Sequence, residues 1–309
     1  MIRVGVAGWD YPDWAGVVYP SPPPRGFDRL AYLADLFDAV EINVTFYRQP
    51  DLRAAASWAR RVADHPAFRF TAKLVRDLTH AGRPTGSHGS PAFVDLKAQA
   101  DRFRAGIDPL LESGLLLAVL AQFPHSFHDR PESRLHLEGL ATLLRGLPLV
   151  AEFRHRSWDH EGALAFLRGL GVGFCNVDQP DLPSTLRPTA HATSPVAYAR
   201  LHGRNAASWF GHAASPAARY DYLYGWEEID PWTERVRALA GRAEEVVVIA
   251  NNHYGGKGPA NALMIKAALG RAPVRAPASL VAAFRDLAAV ALPERSALEQ
   301  GRLFPKEGG

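Results

Sequence analysis

Eight short apolar runs, most of them separated by a stretch with helical spacing, constrain the fold of this chain more than any other feature. In order they are "IRVGVA" (2–7), "AVEIN" (39–43), "FRFTAK" (68–73), "LLLAVLAQF" (115–123), "LVAEF" (149–153), "VGFCNVD" (172–178), "VAYARLH" (196–202) and "VVVIANN" (246–252). Between them, "DRLAYLADLF" sets Leu30, Leu33 and Phe37 on one helical face. "DLRAAASWARRVA" opens at Asp51 as a cap, and "HEGALAFLRGLG" follows Asp159 and stops at Gly171. Strand and helix alternating eight times predicts an α/β chain folded as one (β/α)8 barrel over residues 1–292, with a polar tail at 293–309. A doubly wound open sheet is the competing arrangement, but no GxGxxG follows the first strand.

The 309 residues are enough for one large barrel with a full core, and their 47% hydrophobic and 22% charged content is that of an ordinary globular protein. Lysine occurs only at 73, 97, 257, 266 and 306, so arginine carries nearly all the positive charge and a lysine in a cleft stands out. The single Cys175 excludes an internal disulfide and a cysteine-based zinc site, and its apolar run predicts an inert buried thiol. No run reaches transmembrane length and the N-terminus reads directly as a strand, so no membrane partner and a cytoplasmic location are expected; the oligomeric state is not legible.

Three long connections follow strands: 8–27 after the first, 74–95 after the third and 203–231 after the seventh. In a barrel, the loops after strands form the face that holds active sites. Side chains alternate along a strand, so polar residues at strand ends can be assigned a face. Glu41 with Asn43, Thr71 with Lys73, Glu152 with Arg154, Asn176 with Asp178, and Arg200 with His202 are predicted to point into the barrel near its mouth, with Gln122 beside them. A neutralised ion-pair and hydrogen-bond network filling the top of the barrel is one reading of these acids and bases; because barrel interiors are packed mainly with branched apolar residues, a pocket is the expected one. After the eighth strand, "ANNHYGGKGPANA" supplies two glycines, Lys257, a third glycine and a helix opened by Pro259, an arrangement suited to an oxyanion, with Arg200, His202 and Arg204 of "RLHGR" nearby.

The assembled pieces resemble the YecE-like family, a TIM-barrel family also described as domain of unknown function number seventy-two. The matching stretches are "GVAGWDYPDWAGVVYP", "FDAVEINVTFYRQP", "FRFTAK", "LAQFPHSF", "VAEFRHRSW", "VDQP", "YARLHGR" and "NNHYGGKGPANA", which span roughly residues 4 to 270 in family order. The resemblance implies the TIM-like barrel and its cleft and supplies no reaction. It places Trp9, Tyr11, Trp14, Glu41, Asn43, Thr45, Phe46, Tyr47 and Lys73 on motif positions. Glu152, Arg154, His155, Trp158, Asp178, Arg200, His202, Gly203, Arg204 and Asn251 follow. Arg156 departs from the family's pattern, which more often has proline there.

The chemistry expected from these residues is acid–base or hydrolytic work on an anionic, phosphorylated or nucleotide-like substrate. Glu41, Lys73, Glu152, Asp178 and His202 are the catalytic candidates. Trp9, Tyr11, Asn43, Tyr47, Gln122, Arg154, His155, Trp158, Arg200, Arg204, Asn251 and Lys257 are the binding candidates. No cofactor is expected. A divalent metal on the acids with His202 is an alternative, weakened by the absence of HxH or HxxxE spacing and by the surrounding cations. Glycoside hydrolysis by Glu41 and Glu152 is another. A non-catalytic barrel that stacks a nucleic-acid fragment on the aromatics of 208–226 is a third.

Overall fold

A computed structural model describes residues 1–80, 91–209 and 219–294. Eight parallel strands close into a barrel in chain order. They are β1 (Ile2–Ala7), β2 (Ala39–Ile42), β3 (Arg69–Lys73), β4 (Leu116–Gln122), β5 (Leu149–Glu152), β6 (Gly173–Asp178), β7 (Val196–Leu201) and β8 (Glu245–Ala250). Each falls within a residue or two of its apolar run. β1 closes the ring, pairing with β2 from Gly5–Ala39 to Ala7–Glu41 and with β8 from Ile2–Val246 to Val6–Ala250. A parallel sheet is covered on both faces, which is why its strands read as nearly unbroken hydrophobic runs.

The helices are α1 (Arg29–Leu36), α2 (Val44–Tyr47), α3 (Leu52–Arg61), α4 (Arg76–His80), α5 (Pro91–Glu112), α6 (Pro131–Leu143), α7 (Glu161–Leu170), α8 (Trp226–Ala240), α9 (Lys257–Lys266) and α10 (Ala278–Ala283). Local chemistry sets their ends. Asp28 caps α1 by accepting from the amides of Leu30 and Ala31, and Arg61 of α3 grips the same carboxylate at 2.7 Å. Leu30, Leu33 and Phe37 are all buried, as their spacing predicts. Asp51 caps α3. Helix α7 stops at Gly171, whose φ of 68° suits glycine, and His160 holds its N-cap position.

Between β6 and β7 the described residues form no helix, so 179–195 is a fourth long connection that the apolar pattern does not disclose. Pro180, Pro183 and Pro188 remove backbone donors along it. Asn176 organises it instead: its Oδ1 accepts from the Thr189 hydroxyl and the His191 amide, and its Nδ2 donates to the carbonyls of His191 and Tyr198. The expected tail boundary at 293 cuts a strand, because β10 (Ala291–Glu294) pairs with β9 (Val274–Pro277). Residues 295–309, most of that tail, lie outside the described residues, as do 81–90 of the loop after β3 and 210–218 of the loop after β7.

Candidate functional site

Strand register decides which side chains share the barrel interior. Glu41 pairs with Thr71, Gln122 with Glu152, Cys175 with Tyr198, and Val177 with Arg200. Neighbours in register point the same way, so Glu41, Thr71, Lys73, Gln122, Glu152, Tyr198 and Arg200 face inward. On β6 the inward pair is Cys175 and Val177. The assignment of Asn176 and Asp178 to the interior is therefore corrected: both turn outward, Asn176 to the following loop and Asp178 toward α8. Two polar residues two apart cannot reveal which side of a strand they occupy when outer partners can satisfy them.

Arg200 forms the floor. Its Nη1 donates to Glu152 Oε2 at 2.5 Å and its Nη2 to Glu41 Oε1 at 2.6 Å, with all three side chains sealed from water. Tyr198 donates to Glu41 Oε2 at 2.9 Å and lies 2.7 Å from the Thr71 hydroxyl. Arg154 meets Glu152 Oε1 at 2.7 Å. Burial alone would raise the Glu152 pKa, but Arg154, Arg200 and His202 outweigh it and hold the carboxyl well below the usual range. A carboxylate so fixed is a permanent anion, which removes Glu152 from the role of proton donor. His202 accepts from Asn251 Nδ2 at its Nδ1, 2.8 Å away, and its Nε2 lies 3.3 Å from Glu152. Burial, then the Arg154 charge, lower its pKa to about 3, so it stays neutral and does not shuttle protons near pH 7.

Above this floor lies a cavity of about 550 Å³, lined by Trp9, Tyr11, Asn43, Tyr47, Lys73 and Asn251 together with Gly8, Asp10, Val44, Arg48, Trp58, Tyr220 and His253. Six expected residues thus share one wall, and Lys73 is the expected catalytic residue among them. Its ammonium sits 4.1 Å above the Phe46 ring. Burial, then the Arg200 charge, bring its pKa down to about 7; Glu41 and Glu152 only partly oppose this. Asn43 Oδ1, Gln122 Oε1 and Arg200 Nε are buried without a hydrogen-bond partner. Of these residues Asn43 lines the cavity, where a bound polar ligand would complete its Oδ1.

His253 is the functional candidate that sequence reasoning passes over. Its Nδ1 donates to the Asn251 carbonyl at 3.2 Å, its ring stacks on Tyr11 at 4.4 Å, and its carbonyl accepts from Trp14 Nε1 at 2.7 Å. Burial lowers its pKa, so the ring is held neutral with Nε2 as the lone-pair nitrogen. Its place at the end of the eighth strand, in "NNHYGG", was the available signal.

Other expected residues stand apart from the cavity. Asp178 accepts from Trp232 Nε1 at 2.5 Å, Tyr224 Oη at 2.8 Å, and Arg204 through Nε at 2.9 Å and Nη2 at 2.7 Å; every acceptor position is taken, so it and Arg204 brace α8 against the barrel. Trp158 is fully buried, stacked on Phe153 at 4.1 Å, with Nε1 on the Phe127 carbonyl. His155 accepts from the Ser157 amide and stacks on His128 at 3.8 Å, beside a separate small cavity lined by Arg156 and Arg187. Lys257 is paired with Asp221. The glycine loop receives an oxyanion from its own chain: the Gly255 amide donates to Asp13 Oδ2 at 2.6 Å. Among the described residues no group of three or more His, Cys, Asp or Glu converges as a metal donor set. No helix among them is long and apolar enough to cross a membrane.

Comparison with known proteins agrees with this architecture. A DUF72 family protein from Thermotoga maritima is 36% identical, with 87% of this chain and 99% of that chain covered and a TM-score of 0.75. One from Enterococcus faecalis is 28% identical, covering 87% and 96%, with a TM-score of 0.73. No curated protein matches the chain. The family model "Protein of unknown function DUF72" matches residues 3–282, and the chain belongs to that family.

Proposed function

We propose that the barrel mouth is the active site of an enzyme carrying out acid–base chemistry on a small anionic molecule, phosphorylated or nucleotide-like in character. The observation that carries this reading is a charge imbalance. Three cations, Lys73, Arg154 and Arg200, face two carboxylates, Glu41 and Glu152, and both carboxylates are already bonded to arginine. Lys73 has no ion pair among the described residues and lines the cavity. A desolvated surplus of positive charge favours an anion, and about 550 Å³ suits a ligand of mononucleotide size or smaller. In the cavity lining itself Arg48 is a second cation beside Lys73, His253 Nε2 supplies a base, and Tyr11, Trp9 and Tyr47 offer flat apolar walls.

The geometry favours this over the alternatives. Glycoside hydrolysis needs one carboxyl group free to donate a proton, and here both are engaged as acceptors, Glu152 by Arg154 and Arg200 and Glu41 by Arg200 and Tyr198. Within 219–226, Tyr224 is buried on Asp178 and Tyr222 bonds Glu228, which leaves Tyr220 as the aromatic of that stretch lining the cavity. Isothermal titration with inorganic phosphate tests the reading. Saturable binding that weakens as salt rises and drops in Lys73→Met is expected; heat that is indifferent to Lys73→Met removes the cavity as the anion site.

A further inference from the structure

We propose that Lys73 is a covalent nucleophile whose Nζ adds to the carbonyl carbon of an anionic aldehyde or ketone in the barrel-mouth cavity and forms an imine. The inference rests on the anionic-substrate reading above and assigns the reacting group of that substrate. Lysines usually have an acidic neighbour, and the others described here do. Lys97 pairs with Asp101, Lys257 with Asp221 and Lys266 with Asp38. Lys73 alone among the described lysines makes no ion pair, Glu41 and Glu152 acting on it only from beyond contact. It emerges at the end of β3 into the cavity, over the face of Phe46, with the two guanidinium groups of Arg154 and Arg200 contributing to its electrostatic surroundings. A lysine taken out of water and set beside other cations sheds its proton easily and becomes the attacking amine. With its pKa near 7, its free-base fraction at neutral pH is on the order of a thousandfold that of an ordinary lysine.

The step balances without a cofactor. The nitrogen lone pair forms a C–N bond as the carbonyl π-electrons move to oxygen; the nitrogen loses a proton and the oxygen gains one, giving a carbinolamine. A second proton on that oxygen lets it leave as water, and the nitrogen lone pair closes the C=N bond. Asn43 lines the same wall, and its unpartnered Oδ1 is placed to accept from a hydroxyl of the bound molecule. The Arg154 and Arg200 charges persist after Lys73 has lost its proton, so the anionic tail stays attracted while the amine reacts.

The test treats the full chain with glyoxylate and sodium cyanoborohydride near pH 7, followed by peptide mass mapping, with and without excess inorganic phosphate. Reduction of the imine should leave a carboxymethyl group on Lys73, favoured over exposed Lys97 by about tenfold or more because of its larger free-base fraction. Phosphate should suppress that adduct. Lys73→Arg, checked for folding by circular dichroism, keeps the charge and should retain phosphate binding while losing the adduct. Label distributed over the exposed lysines with Lys73 unmodified overturns the imine; if phosphate still binds, the anion reading survives it. Lys73 labelled at full rate despite excess phosphate keeps the imine and overturns the shared anion site.

Discussion

Arg200 on β7 and Glu152 on β5 meet at 2.5 Å across the barrel interior, both sealed from water. Removing the guanidinium leaves Glu152 with Arg154 and His202, and Glu41 with only Tyr198. Arg200→Met is expected to lower the unfolding free energy by about 3–5 kcal/mol, as loss of one member of a buried pair does. Urea denaturation checks this, and a loss under 1 kcal/mol would show that the floor is not held by these bonds.

Lys73 has the opposite sign. Its folded pKa, about 7, lies below its unfolded value, so the folded state holds fewer protons between roughly pH 7 and 10. The cost of burying the ammonium is fully present below pH 7 and fades as pH rises through that window. Lys73→Met should therefore be more stable than the parent at pH 6, by a few kcal/mol in order of magnitude, with the gap closing toward pH 10. Parallel denaturation series at the two pH values measure it.

His202 predicts the acid limb. Its folded pKa of about 3 lies below the unfolded value of 6.5, so its contribution is present above pH 6.5 and is lost as pH falls toward 3. Between those limits it takes away about 1.4 kcal/mol per pH unit. In His202→Asn, stability should fall less steeply between pH 6 and 4. An unchanged slope would assign the acid sensitivity to other groups.

Gly5 is fixed by distance. A Cβ there would lie 1.9 Å from the Ala39 carbonyl oxygen, inside the β1–β2 pairing that closes the ring. Gly5→Ala must push the two strands apart, at a cost of about 1–3 kcal/mol for a forced backbone shift. A drop in the thermal midpoint is expected, whereas Gly169→Ala on the open face of α7 should hold it or raise it.

The barrel and the inward set on β2, β3, β5 and β7 were legible because apolar runs and period-two alternation survive in one sequence. Face assignment failed at Asp178 because alternation fixes parity and leaves open which side is the interior; only the register with β7 resolves it. The helix-free connection 179–195 was missed because its order comes from Asn176, a side chain within a strand. Lys257 was misjudged as an anion ligand because its partner, Asp221, lies 36 residues earlier in a loop without periodicity. His253 was overlooked beside the glycines that follow it, whose oxyanion turned out to be Asp13.

Glu41, Glu152 and Arg200 lie at the ends of or within strands, whereas Trp9, Tyr11, Tyr47, Tyr220 and His253 lie in the segments after them. Foldability and ligand choice thus occupy separable stretches of the chain. Libraries that randomise the rim while keeping those three floor residues should yield a high share of soluble members with altered preferences, making this barrel a practical chassis for directed evolution.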